Sequence, residues 1–199
     1  MLLIEQGGVP QAALPIAALK DHLRLGSGFA DDALQDALAE SYLRSALGVI
    51  EGRTAKVLIA RDFLLVLEDW RQAAEQALPV APVTAVASVT LFDGAGVGTV
   101  VAADRYRLVR DTHRPKIAAT GVLLPEVVEG GRAEILFTAG FGDWADVPAD
   151  LAQAVFLLAA EYYEMRHEAG VRQAQGLPHA VQVLIERWRT VRVLGGAAR

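Results

Sequence analysis

Glu161, Glu164 and His167 stand at three-residue intervals and come nearest to a reactive centre in this chain. On a helix that spacing stacks side chains along one face. A Glu-x-x-His pair is also the ligand unit of carboxylate-bridged di-metal bundles. Such a centre needs a second Glu-x-x-His and further carboxylates from facing helices. No second pair occurs, and Asp36 and Glu40 are the only plausible partners. A solvated helix end explains the three residues more simply. His22, His113 and His179 are scattered singly and read as surface or packing residues.

The other chemical signals fail in the same way. Gly94, Gly96 and Gly98 invite a phosphate-cradling reading, but a dinucleotide loop needs its third glycine three residues after the second, then a helix. Here the third comes two residues later and a strand pattern follows, so the segment reads as a hairpin turn. There is no Gly-x-Ser-x-Gly, and the four serines (27, 41, 45, 88) stand apart. The acid pairs Asp143/Asp146 and Asp31/Asp32 sit at helix starts, where capping accounts for them. No cysteine is present, which removes disulfides, thiolate metal sites and cysteine nucleophiles. The chain is therefore read as a non-enzyme with no catalytic residues, no metal site and no cofactor.

The elements that would position any site fall into three blocks. Residues 1–15 read as a loose leader. A short helix follows Pro15 and breaks at Gly26-Ser27-Gly28. A second starts at Asp31, carries an apolar stripe through Leu34, Leu38, Tyr42, Leu43, Leu47 and Ile50, and stops at Gly52. Residues 56–139 change character, with short valine-rich runs separated by proline, glycine and aspartate. Strands are read at 57–59, 63–67, 83–91, 99–102, 106–109 and 132–138. Gly140 and Gly142 end the last of these, since glycine reaches backbone angles closed to other residues. Asp146 and Pro148 then open a third helix running to Arg166, apolar nearly all round in its first half and so expected to be the most buried. After a glycine- and glutamine-rich break at 170–176, Pro178 opens a fourth helix. Val181, Leu184, Ile185, Trp188 and Val191 share one face of it, with Arg187 and Arg189 largely off that face. The fold class is α+β: about four helices form a core (16–53 plus 147–192), with a mainly antiparallel β subdomain (56–139) inserted.

The chain has 199 residues, is 53% hydrophobic and 22% charged, and carries a net charge of −5. That is a globular composition. The longest wholly apolar run, Ala154–Ala160, is far short of the ~20 residues that span a bilayer, so no membrane contact is expected. A free-standing DNA binder shows a basic excess, and this chain lacks one. Its last thirteen residues, though, hold four arginines (187, 189, 192, 199) and no acid.

Several of these segments, taken in order, resemble the head–tail connector (adaptor) family of tailed bacteriophages and phage-like gene transfer agents. They are Lys20-Asp21-His22-Leu23-Arg24, Asp31-Asp32, Leu78-Pro79-Val80-Ala81-Pro82-Val83, Asp104-Arg105-Tyr106, the strand–glycine–helix passage 134–151, and Tyr163-Glu164-Met165-Arg166. The likeness covers roughly residues 16–192. It implies a subunit of a ring, expected dodecameric, beneath the portal. That ring extends the DNA channel without reading DNA sequence and offers a platform to a stopper or tail terminator. It also implies assembly in a bacterial cytoplasm and residence at the head–tail interface of the particle.

The resemblance bears on the last helix as well. An amphipathic terminal helix with a tryptophan suits a partner's groove, but on composition alone closure over the protein's own core is the favoured reading. Family members grip the portal with C-terminal segments. The resemblance therefore assigns portal docking to Val181, Leu184, Ile185, Trp188 and Val191 in helix 178–192, aided by Arg187, Arg189 and Arg192. Two other readings stand beside it: a small metal-dependent or hydrolytic enzyme using Glu161, Glu164 and His167, and an interaction module that forms no ring.

Overall fold

A computed structural model describes residues 1–23, 33–165 and 176–189. Gly26–Gly28, Asp31, Asp32, Arg166, His167, the 170–175 break, Val191, Arg192 and the glycine pair 195–196 lie outside the described residues, as does the side chain of Leu34. The fold is α+β, as expected. In chain order the elements are β1 (Leu2–Gln6), α1 (Ile16–His22), α2 (Ala33–Thr54), β2 (Arg61–Leu67), β3 (Glu75–Ala77), β4 (Val83–Phe92), β5 (Gly98–Val100), β6 (Tyr106–Val109), β7 (Lys116–Ala119), β8 (Arg132–Ala139), α3 (Ala149–Met165) and α4 (His179–Ile185).

The helices share one apolar cluster. α2 contributes Ala39, Leu43, Ala46, Leu47 and Ile50, and α3 contributes Leu151, Ala154, Val155, Leu158 and Ala159. Both sets recur at helical spacing, so each helix turns one stripe inward. α3 packs against α1, α2 and α4, which makes it the shared element of the layer. Rings hold its middle and its far end: Phe156 stacks on His22 at 5.7 Å, and Tyr163 meets Tyr42 edge-on. His22 is thus a packing residue.

The strands form two antiparallel sheets, one of five strands in the order β1-β2-β8-β4-β5 and one of three in the order β3-β7-β6. A second cluster includes Phe63, Leu65, Ile117, Ile135 and Phe137, drawn from both sheets. Inward and half-exposed residues alternate along β8, the period-2 signature of a sheet with one face in the core. Asp93 organises the β4–β5 turn, its Oδ1 accepting from the backbone N–H of Ala95 and Val97. The glycine-rich segment is a hairpin turn.

Several boundaries differ from the sequence reading. The leader is not loose at its start: Leu2–Gln6 pair with Asp62–Val66 as an edge strand. Arg61 secures that strand, donating to Glu5 at 2.7 Å and to Glu51 at 2.7 Å. Gly52 does not end α2. The helix continues to Thr54, whose hydroxyl donates back to Ile50 O, and the turn away falls on Ala55 at φ 54°. Residues 57–59 are no strand but a crossing, with a single parallel bridge between Ile59 and Gly142. Gly140 is required there. Its φ is +135°, and a Cβ would lie 2.3 Å from Ala60 Cα. Asp143 and Asp146 close a capping box over a short 3-10 turn at Trp144–Asp146, and α3 begins three residues later.

Candidate docking site

α4 is short. Its α-helical part is His179–Ile185, and the chain tightens into a 3-10 turn at Glu186–Trp188. Val181 and Ile185 point into the helical cluster and are 0% and 2% exposed. Leu184 and Trp188 pack half-buried against the same cluster. Burying two aliphatic side chains contributes roughly 1.5–3 kcal/mol each. That is why this face turns onto α3 when no partner is present. The apolar face expected to meet the portal is therefore not offered as a free surface. What α4 and its following turn present instead is Val183 at 61% exposure, Arg187 at 69% and Arg189 at 56% of their side chains.

Asp150, in the first turn of α3, fixes this geometry. Its Oδ2 accepts from Trp188 Nε1 at 2.7 Å and from Arg187 Nε at 2.7 Å, while Oδ1 accepts from the Leu151 N–H at 3.0 Å. Burial pushes the Asp150 carboxyl up. The bonds from Trp188, Arg187 and the backbone outweigh this and hold it below the usual carboxylate range. Phe141 completes the seat, meeting Trp188 edge-to-face with centroids 5.6 Å apart. The Arg187 guanidinium lies 4.7 Å from the centre of the Trp188 ring. An open depression lined by Asp150, Val183, Leu184, Glu186 and Arg187 runs beside this latch.

Sequence reasoning placed Trp188 and the arginines but missed Asp150 and Phe141. An acid in the first turn of a helix reads as a macrodipole residue, and nothing local announces a partner 38 positions away.

Of the catalytic candidates, His167 lies outside the described residues. Glu161 and Glu164 sit on the last turns of α3, and no group of three or more possible metal ligands occurs among the described residues. The expected helper carboxylates are engaged elsewhere, Asp36 with Lys20 and Glu40 with Arg44. No helix among the described residues is long and apolar enough to cross a membrane.

No protein-family model matches the chain, and no curated protein matches it. Solved structures do. A chain from the neck of an empty gene transfer agent (GTA) particle, computed with C6 symmetry, is 57% identical, with a TM-score of 0.89 over 98% of this chain and 99% of that one. A chain from the virion of a native GTA particle is 57% identical with a TM-score of 0.86 over the same shares. A chain from the neck of a native GTA particle, computed with C12 symmetry, is 54% identical with a TM-score of 0.83, again over 98% and 99%.

Proposed function

We propose, from the premise that this chain belongs to the neck proteins of gene transfer agent particles, that it is the head–tail connector (adaptor) subunit. Twelve copies close into a ring beneath the portal. The ring extends the DNA channel and offers its far side to a stopper or tail terminator. The observation that carries this reading is likeness over nearly the whole chain to neck components of particles treated with C6 and C12 symmetry. Those neighbours are parts of a particle, and the role that follows is structural, not enzymatic.

The mechanism is geometric. A contact between two different surfaces of one chain, repeated by rotation, closes a ring without a free end. Each contact can be modest, because disassembly has to break two at once. A net charge of −5 gives no general adhesion to phosphate, which suits a wall past which DNA slides. Portal contact falls to the C-terminal segment through the exposed flank of Arg187 and Arg189 and onward through Val191 and Arg192, with Val181, Leu184, Ile185 and Trp188 holding that flank in place. Assembly takes place in the bacterial cytoplasm.

Electron microscopy of the purified protein mixed with its portal tests the reading. Twelve-fold collars on portal rings are the expected result, and a protein that stays unassembled and unattached would sink it. In a deletion strain, DNA-filled heads without tails are expected. Normal tailed particles would contradict the role.

A further inference from the structure

We propose that the uncovered edge of β4, beside the basic β6–β7 hairpin, takes an extended acidic segment of another protein by strand addition; the proposal stands whether or not the chain closes into a ring. β8 pairs with β4 from Val83 to Phe92. On the other side β5 covers only Thr90 to Phe92, with one further bond from the Val101 N–H to Val89 O. No described strand pairs with that side from Thr84 to Ser88. Thr84, Ala85 and Ala87 are exposed. The Thr84 carbonyl accepts a side chain, Arg110 Nη2 at 3.0 Å, where a strand would otherwise bond. The stretch carries neither proline nor charge, the common protections of a free edge. Bulges between Val83 and Ala85 and between Val86 and Ser88 interrupt its register, which limits an addition to one short segment.

The charge beside this edge is one-sided. Residues 104–116 hold five cations, Arg105, Arg107, Arg110, Arg114 and Lys116, and two acids, in a chain of net charge −5. All four arginines are exposed. Asp111 turns its Oδ1 to the backbone N–H groups of His113 and Arg114, both at 2.7 Å, and these bonds hold its carboxyl below the usual range. Two depressions meet at Asp111. One, of about 470 Å³, reaches Val83 and Thr84 at the start of the open edge. The other, of about 670 Å³, is lined by Arg71, Arg114 and Lys116, and Lys116 pairs with its one further acid, Glu75. A chain bearing carboxylates and laid along Thr84–Ser88 meets guanidinium groups where β4 begins.

The two features together choose the occupant. Cations alone would suit the phosphates of a nucleic acid as well as carboxylates. A strand edge offers N–H and C=O groups at the spacing of another peptide backbone, and a phosphodiester chain cannot match it. A second copy of this chain is a poor donor. Its own edge strands β1, β3, β5 and β6 hold two acids, Glu5 and Glu75, and Arg61 and Lys116 already pair with them. The segment that fits has an unpaired backbone, alternates acidic with apolar residues, and comes from a different protein.

Titration of the nitrogen-15-labelled full chain with an octapeptide of alternating valine and glutamate tests this. Amide shifts are expected at Thr84–Ser88 and along the β6–β7 hairpin. The same peptide with alternate backbone nitrogens methylated keeps its charge and loses strand bonds, so it should bind about tenfold or more weakly. Arg107→Gln with Arg110→Gln, both at exposed positions, should weaken binding about threefold or more while the protein melts as before. Shifts confined to other regions, equal binding of the methylated peptide, or no binding at millimolar peptide would overturn the proposal. So would an oligothymidylate of equal charge that moves these amides more than the peptide does. In assembled necks, a photoreactive benzoylphenylalanine at Ala87 should yield adducts to an acidic segment of another protein. Adducts to DNA or to a second copy of this chain, or none at all, would count against the assignment.

Discussion

Trp188 donates its indole N–H to the Asp150 carboxylate at 2.7 Å, so the turn after α4 is bolted to the first turn of α3. Asp150→Ala would leave that half-buried donor, and the Arg187 guanidinium, without their acceptor. A loss of about 1–3 kcal/mol is expected, read as a lower denaturant midpoint with unchanged slope. The sign with pH follows from the depressed folded-state carboxyl. Its contribution is fully present above the ordinary value of 3.8 and is lost as pH falls through the lower folded value. Wild type and Asp150→Asn should therefore converge in stability only in strong acid. A gap that persists unchanged to pH 2 would show that charge at Asp150 plays no part.

Leu158 is 2% exposed at the centre of the helical cluster. Leu158→Ala should cost roughly 2–5 kcal/mol, the range for truncating a buried leucine. Out of ~5–15 kcal/mol for a whole domain, that should cut soluble yield sharply. A change below about half a kcal/mol, typical of surface sites, would mark α3 as peripheral.

Truncation before Pro178 removes Val181 and Ile185 from the helical core. The shortened subunit should melt well below the wild type, because α3 is left with an open apolar stripe. Arg187→Gln with Arg189→Gln spares that core. This double variant should fold and yet co-sediment less with portal, and wild-type binding should weaken with salt if the portal surface is acidic. Undiminished, salt-insensitive binding by the double variant would move the portal contact elsewhere on the subunit.

Lys56 is fully buried, and its Nζ donates to Thr54 O at a long 3.5 Å. Burial lowers its pKa from 10.5, and Asp111 partly offsets the shift. The unfolded chain therefore holds the proton more tightly than the folded one. Folding stability should rise with pH between the lowered value and 10.5. Lys56→Met should remove that rise and raise stability near neutrality by about 1 kcal/mol or more. A pH-independent difference between the two proteins would refute the account.

Much of this fold can be read from local pattern. The glycines at 140 and 142 mark the end of β8 because their backbone angles admit little else, and the stripes of α2 and α3 name their own buried faces. β1, β3 and β7 cannot be found that way. Glu-Gln-Ala and Lys-Ile-Ala-Ala are too short to alternate, and Leu2–Gln6 becomes a strand only because residues some 60 positions later offer an edge. The α4 face poses a different problem. A helical apolar stripe reports that it will be covered, not by what, and Val181 reads the same whether it meets α3 or a portal groove. The Asp150 bond, formed across tertiary space, is what decides between them in the free subunit.

The chain passes from the helical layer into the sheet near Ala60 and comes back near Gly142, and the two passages touch. Ala60 donates its N–H to Gly142 O at 2.8 Å, and Phe141 donates back to Leu58 O at 3.3 Å. Between those points one uninterrupted stretch of sequence supplies β2 to β8, and β1 joins its sheet from outside that stretch. A stretch whose ends meet in this way can change in length at its far turns without moving the chain ends that the helices see, provided that it keeps the edge on which β1 pairs. Neck proteins built on this plan can vary the far end of the sheet while the helical layer stays as it is.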